Sequence, residues 1–209
     1  MNDKSSISVF DRIFKFVFSR LIQKIQITSY EARIKKLKKE NAELKRIVAH
    51  DSLTGALSFT EFKERVKYFL SLFKRFSYKN GEKQYFSIVF IDLDNFKDIN
   101  DSYGHEAGDN VLINFVSFLK EQLRDCDLVA RKSGDEFLLF LEDSNLKSSL
   151  LVMRNIQSRI RHSLLSTGDY DIQVSFSFGV ASTSEGITDL DKLIKEADRN
   201  MYKQKNFRR

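Results

Sequence analysis

The sequence predicts an α/β (α+β) fold, a sheet whose strands alternate with helices, preceded by a long N-terminal helix. Three observations predict it. Short apolar, β-branched and aromatic runs recur at residues 85–92, 128–132, 136–141 and 174–181, which is how buried strands read. Between them, residues 58–76, 106–123, 146–165 and 190–205 carry helical periodicity. Finally, residues 8–49 hold neither Gly nor Pro, so nothing in that stretch breaks a helix.

The 209 residues, 42% hydrophobic and 31% charged, suit one core of ordinary size plus an extension. A single cysteine, Cys126, excludes an internal disulfide and fits a reducing compartment. The longest apolar run near the start is Phe16-Val17-Phe18, far short of the ~20 residues that span a bilayer. No signal peptide is legible, and the expectation is a cytoplasmic protein. The net charge of +6 is not spread evenly: residues 1–50 hold 12 basic and 5 acidic side chains, leaving 23 basic against 24 acidic in the remainder. A neutral main domain argues against a groove for a nucleic-acid backbone.

Two organisational units follow, residues 1–49 and residues 50–209. Within the first, Ile34, Asn41 and Val48 fall at heptad position a, and Leu37 and Leu44 at d. An Asn at one a position fixes register and favours a parallel two-stranded coiled coil, hence a homodimer; the alternative is one long helix lying on its own domain. Residues 7–27 differ: Phe10, Phe14, Val17, Leu21 and Ile25 share a face, flanked by Ile13, Phe16, Phe18 and Ile22, with Arg12, Lys15, Arg20 and Lys24 between. Such a helix extends a bundle, packs on a protein partner, or rests on the inner face of an anionic membrane.

Along the main unit, a helix over residues 58–76 ends before the turn residues Asn80-Gly81. The strand over 85–92 closes on Asp92-Leu93-Asp94. Strands 128–132 and 136–141 flank the tight turn Ser133-Gly134, with Asp135-Glu136 opening the second strand. The strand over 174–181 alternates Val174, Phe176, Phe178 and Val180 with Ser175 and Ser177. Acids therefore gather at strand ends. A hard cation such as Mg²⁺ takes one or two protein carboxylates together with substrate phosphates, so this pattern points either to phosphoryl or nucleotidyl transfer or to acids that are merely solvated at strand ends.

From His50 onward the chain resembles the GGDEF family of diguanylate cyclases. Ser133-Gly134-Asp135-Glu136-Phe137 stands in place of the naming motif. Asp51-Ser52-Leu53-Thr54-Gly55, Asp92-Leu93-Asp94-Asn95-Phe96-Lys97-Asp98-Ile99-Asn100-Asp101, Tyr103-Gly104-His105-Glu106-Ala107-Gly108-Asp109, Ser177-Phe178-Gly179-Val180 and Ala197-Asp198…Tyr202…Lys205 follow the family order. The resemblance implies a palm-like, mainly antiparallel sheet flanked by helices, and the condensation of two GTP into cyclic di-GMP with two pyrophosphates released. It implies that Asp92, Asp135 and the Leu93 carbonyl bind two Mg²⁺ ions, with Mn²⁺ an alternative. It assigns catalysis to Asp135, Glu136 and Lys97, and the β- and γ-phosphates to backbone amides at Asn95, Phe96 and Lys97. Asn100 and Asp109 would read guanine, His105 would line that pocket, and Lys205 and Arg209 would grip phosphate. Arg124-Asp125-Cys126-Asp127 matches an R-x-x-D inhibitory motif, which implies feedback by bound cyclic di-GMP through Arg124 and Asp127.

The sequence also departs from the family pattern. Ser133 replaces a Gly, and Lys132 an apolar residue. Gln204 and Arg208 replace an Ala and a Gly. Ser58-Phe59-Thr60 stands where the family has Asn-Arg-Arg, which leaves Asp51 without the expected cationic partner.

Overall fold

The computed structural model describes the backbone of residues 9–75, 78–79 and 82–206. The chain divides into two compact units, Met1–Ile47 and Val48–Arg209.

The first unit is dominated by α1, Val9–Ala49, a single helix of 41 residues. Its described apolar side chains from Ile13 to Leu37 are largely exposed, Phe14 at 63% and Leu37 at 55% among them. Leu44 and Val48 of the heptad, and Phe10, Arg12 and Ile25 of the N-terminal stretch, lie outside the described side chains. Among the described residues, no helix is long and apolar enough to cross a membrane.

In the second unit the elements run β1 (Leu57–Ser58), α2 (Phe59–Arg75), β2 (Tyr78–Lys79), β3 (Glu82–Lys83), β4 (Ser87–Leu93), α3 (Phe96–Tyr103) and α4 (His105–Gln122). There follow β5 (Leu128–Ser133), β6 (Glu136–Leu141), α5 (Leu146–Arg161), β7 (Leu165–Ser166), β8 (Asp171–Ile172), β9 (Phe176–Ser182) and α6 (Leu190–Asn206). The main sheet has the order β1-β5-β6-β4-β9. Only the β1–β5 pairing is parallel; β5–β6, β6–β4 and β4–β9 are antiparallel. The expected mainly antiparallel sheet flanked by helices is therefore present. β2–β3 and β7–β8 form two small antiparallel ribbons.

Side-chain alternation explains why the sheet is buried on both faces. Val89, Ile91 and Leu93 of β4, with Phe137 and Leu139 of β6, pack on one side with Val111 and Phe115 of α4 and Met153, Ile156 and Ile160 of α5. Ile88 and Phe90, with Leu138 and Phe140, turn the other way onto Phe62 and Val66 of α2 and Leu193, Ala197 and Met201 of α6. A Cβ at Gly179 of β9 would collide with the Ala197 carbonyl and the Met201 amide of α6. Helix and strand touch backbone to backbone there, which only glycine permits.

Several boundaries differ from the sequence expectation. The strand expected over 85–92 begins at Ser87 and runs to Leu93. The helix expected over 146–165 stops at Arg161, and Leu165–Ser166 is a strand. Residues 96–103 form the unforeseen helix α3, and Leu57–Ser58 pairs with β5 instead of opening α2. The Asn80-Gly81 turn lies outside the described residues.

Candidate active site

The site is assembled where β4 ends and the β5–β6 hairpin turns. Asp92, second from the end of β4, has Glu136 of β6 as its cross-strand partner on one side and Ser177 of β9 on the other. Asp135 lies in the turn before β6, and its carbonyl accepts from the Leu93 amide at 3.3 Å, tying the turn to the end of β4. Gly134 adopts φ +47°, a left-handed conformation that glycine enters without a Cβ penalty. Arg131 holds this turn by donating from Nε to the Gly134 carbonyl at 2.9 Å.

Lys205, on the last turn of α6, donates to Asp92 Oδ1 at 2.5 Å. Burial raises the Asp135 pKa, and the charge of Asp92 adds to the rise; together they outweigh a backbone hydrogen bond and the pull of Lys205. Glu136 shifts the other way. Burial pushes it up, but hydrogen bonds from Lys132 at 2.7 Å and Ser133 Oγ at 2.6 Å, with the charges of Lys132 and Lys205, bring it below its ordinary value. Two of the departures from the family pattern thus have a use: Lys132 and Ser133 hold Glu136 ionised. Lys132 also lies over the Phe90 ring, 4.9 Å from its centre.

Asp92 and Asp135 form a carboxylate pair in which one member resists ionisation partly because of the other. A divalent cation relieves that repulsion, and oxygen donors on adjacent strands suit a hard ion. The residues present fit the metal that the sequence resemblance implies.

Immediately after β4, Asp94 is fixed in place. Its carboxylate accepts from Ser175 Oγ and Ser177 Oγ, both at 2.7 Å, and its amide donates to the Ser175 carbonyl at 2.9 Å. Asp94, one of the acids that close the strand, is thus a bridge from β4 to β9. The only sequence signal was the pair of serines alternating with Val174, Phe176 and Phe178. The chain then turns through Asn95, at φ +55° and ψ +30°, into α3. The amides of Phe96 and Lys97 lie in the first turn, where helical N–H groups have no intrahelical acceptor. Phe96 and Ile99 pack against the core, while the Lys97 side chain is exposed.

Asn100 and Asp109 come from two helices. A Cβ at Gly108 of α4 would overlap the Asn100 side chain of α3, so Gly108 lets the two helices close up and places Asn100 beside the residue next to Asp109. His105 opens α4, and both His105 and Asp109 are exposed. The turn between the helices depends on Gly104 at φ +84°, whose amide donates to the Asn100 carbonyl at 2.9 Å.

α6 is anchored to the sheet through Gln204, another departure, whose Oε1 accepts from the Phe178 amide at 2.7 Å. That bond sits one residue from Lys205 and sets its reach towards Asp92. Arg209 lies outside the described residues.

The expectation for Asp51 is overturned. Arg131 Nη1 stands 3.0 Å from Asp51 Oδ1, so the acid has a cationic partner, supplied by β5 and not by the start of α2. Thr54 donates to the same oxygen from its amide at 2.9 Å and its hydroxyl at 2.7 Å. Burial alone would raise the Asp51 pKa; these hydrogen bonds and the Arg131 charge outweigh it and lower the value. A carboxylate lowered in the folded state stabilises above its unfolded pKa, and the contribution is lost as pH falls through the folded value. Arg131→Met is therefore expected to lower the melting temperature at neutral pH by on the order of 2–4 °C. The difference should shrink once Asp51 is protonated. Thermal melts at neutral and strongly acid pH test this; equal melts at neutral pH would show that the turn stands without Arg131.

Arg124 and Asp127 lie at the other end of β5 from the hairpin turn, roughly 17 Å of strand away. Asp127 is structural as well as polar. It accepts from the Arg124 amide at 3.1 Å and the Glu142 amide at 3.0 Å, while its own amide donates to the Arg124 carbonyl at 3.0 Å. The Arg124 side chain is exposed and faces a surface hollow of about 290 Å³ shared with Arg65, Lys120 and Asp125.

Among known proteins, the family profile "Diguanylate cyclase, GGDEF domain" matches residues 48–209. Diguanylate cyclase TpbB of Pseudomonas aeruginosa is 33% identical over 186 residues, covering 88% of this chain and 40% of that protein. Diguanylate cyclase A of Treponema denticola is 30% identical over 187 residues, covering 86% of this chain and 50% of that one. The chain thus spans half or less of the length of these relatives. The solved GGDEF domain of TpbB superposes with a TM-score of 0.68 at 33% identity, covering 75% of this chain and 88% of that structure. The coiled coil and GGDEF domain of DgcB from Caulobacter crescentus, solved with c-di-GMP, gives 0.72 at 18% identity, covering 88% and 94%; at that identity the likeness is one of fold.

Proposed function

The chain belongs to the GGDEF family of diguanylate cyclases, and from that premise we propose that residues 50–209 condense two GTP into cyclic di-GMP, releasing two pyrophosphates. The observation that carries this reading is the carboxylate pair Asp92 and Asp135, held at adjacent strand ends with Lys205 against Asp92. Members of the family depend on a divalent metal. Here Asp92, Asp135 and the Leu93 carbonyl would hold two Mg²⁺ ions, with Mn²⁺ as a substitute, and the metal would supply charge neutralisation at the triphosphate.

The protein's own part is positioning and electrostatics. Amides at Asn95, Phe96 and Lys97 hold the β- and γ-phosphates at the start of α3. The Lys97 ammonium and Lys205, with Arg209 beyond the described residues, offset charge that builds on the leaving pyrophosphate. In each half-reaction a 3′-oxygen bonds to the α-phosphorus of the other GTP, and the bond from that phosphorus to pyrophosphate breaks. Glu136, kept ionised by Lys132 and Ser133, accepts the proton of the attacking hydroxyl. Each domain holds one GTP, so two domains must face each other. The heptad of residues 1–49 would supply the homodimer, raising the effective concentration of one site for the other. Residues 7–27 add a surface for a membrane or protein partner.

Base choice falls to Asn100 and Asp109, with His105 lining the pocket. A carboxylate accepts from the N1–H and N2 amine of guanine and meets a lone pair at N1 of adenine. GTP is therefore expected to be used at least ~10²-fold better than ATP, and Asp109→Ser to narrow the gap. Competition between the two nucleotides, read as labelled cyclic product, tests this; equal use by the wild type would remove Asp109 from base reading.

Product feedback is proposed at Arg124, whose planar guanidinium suits guanine and phosphate, on a turn that Asp127 holds rigid. Progress curves with added cyclic di-GMP decide it. Arg124→Ala should abolish inhibition without altering the initial rate, and an uninhibited wild type would reduce the motif to a turn.

A further inference from the structure

Most apolar residues in the N-terminal half of α1 lie on the side opposite those of its C-terminal half. Ile34 and Asn41 define heptad position a and Leu37 position d. Continued towards the N-terminus, the same register puts Ile27 at a and Tyr30 at d, then Arg20 at a and Gln23 at d. Apart from Asn41, the seam is therefore apolar down to Ile27, and it is charged or polar at the next two seam positions. Ile13 and Phe16 return to a and d, but beyond that break. Of the remaining apolar residues between Phe14 and Ile22, Phe14 and Leu21 fall at b, Ile22 at c, Val17 at e and Phe18 at f. In a two-stranded coil, b, c and f point outward and e flanks the seam. At 3.6 residues per turn, this group is centred about 170° from Ile27, Tyr30, Ile34, Leu37 and Asn41. Taken over the whole of α1, the apolar residues accordingly favour no one side.

Pairing two chains along residues 27–48 thus leaves the Phe14–Leu21 face uncovered. It is exposed along its length, from 42% at Ile22 to 63% at Phe14, and the Phe14 and Phe18 rings stack on it 6.0 Å apart. Its charge complement is one-sided. Residues 12–28 hold Arg12, Lys15, Arg20 and Lys24 and no acidic residue. Aromatic and aliphatic groups backed by cations alone fit the boundary between acyl chains and anionic headgroups. Since no described helix can cross a bilayer, the helix would lie on the surface.

We propose that residues 13–24 dock α1 onto an anionic lipid surface, using a face separate from the dimer seam; this rests on the coiled-coil reading of residues 27–48. The two-fold axis of a parallel coil puts the two outward faces on opposite sides of the pair. One flat surface can engage both only if the helices part N-terminal to Ile27, where Arg20 and Gln23 already interrupt the seam.

The test uses the full chain with vesicles of equal phosphatidylglycerol and phosphatidylcholine, against phosphatidylcholine alone, together with the hydrodynamic mass in solution. Wild type should sediment with the anionic vesicles only, and less so at high salt. Phe14→Glu/Phe18→Glu should weaken that binding at least about tenfold while the protein stays a dimer. Ile34→Glu/Leu37→Glu should lose the dimer and keep measurable vesicle binding. Three results would overturn the proposal: no wild-type binding to anionic vesicles, binding unchanged in Phe14→Glu/Phe18→Glu, or loss of the dimer in that variant, which would assign the face to a helical bundle or another protein. If Ile34→Glu/Leu37→Glu remains a dimer, the seam itself is wrong and the argument from opposite faces falls with it. GTP turnover, followed in parallel, keeps either failure distinct from failure of the enzymatic reading.

Discussion

Asp135→Asn is expected to cut cyclic di-GMP synthesis by roughly 10³-fold or more while leaving the fold at least as stable as the wild type. The loss follows from removing one of two carboxylates that hold the metal. The stability follows from the sign of the Asp135 shift. Burial and the adjacent Asp92 raise its pKa, so the folded state binds that proton more tightly than the unfolded chain does. Such a group works against folding once pH exceeds its unfolded value, and the penalty grows until pH passes the folded value. The neutral amide escapes it. In metal-free buffer at neutral pH the variant should melt at or above the wild-type temperature, and the difference should vanish in acid where Asp135 is protonated. Product chromatography and melting curves over pH check the two halves together. A variant that is inactive and also markedly destabilised would mean that Asp135 supports the hairpin rather than the chemistry.

Removal of residues 1–49 is expected to have the next largest effect. With two domains needed per reaction, tethering through the N-terminal helix supplies an effective concentration on the order of millimolar. At micromolar protein the truncated form should lose on the order of 10³-fold in rate per protomer. It should regain rate in proportion to its own concentration, while the full chain should be nearly indifferent to dilution. Specific activity across a dilution series reads this directly. Unchanged specific activity in a truncated monomer would contradict the role given to the heptad.

What the sequence reveals and what it conceals divide along a physical line. β4 and β6 were legible because each is a run of apolar residues long enough to stand out, and β9 because large apolar residues alternate there with serines. The carboxylates of the site were legible because they break those runs at fixed places. α3 was not, since eight residues carrying Asp98, Asn100 and Asp101 give too few apolar positions for helical periodicity to show. β1 was missed because two residues have no pattern at all. The remaining gaps concern contacts between residues far apart in the chain. Arg131 replaces the missing cation for Asp51 from 80 positions away, and Asp94 finds its two serines 81 and 83 positions on. Neither pairing leaves a local trace. The departures Lys132, Ser133 and Gln204 looked like losses against the family pattern, yet each makes a hydrogen bond that sets the site: two to Glu136, and one beside Lys205.

The most direct test is incubation of the purified chain with GTP and Mg²⁺, with chromatographic and mass-spectrometric identification of every nucleotide formed. The account predicts cyclic di-GMP and pyrophosphate in a ratio of about 1:2, and no product when the metal is chelated. Unconsumed GTP, or its conversion to GDP and phosphate alone, would contradict it.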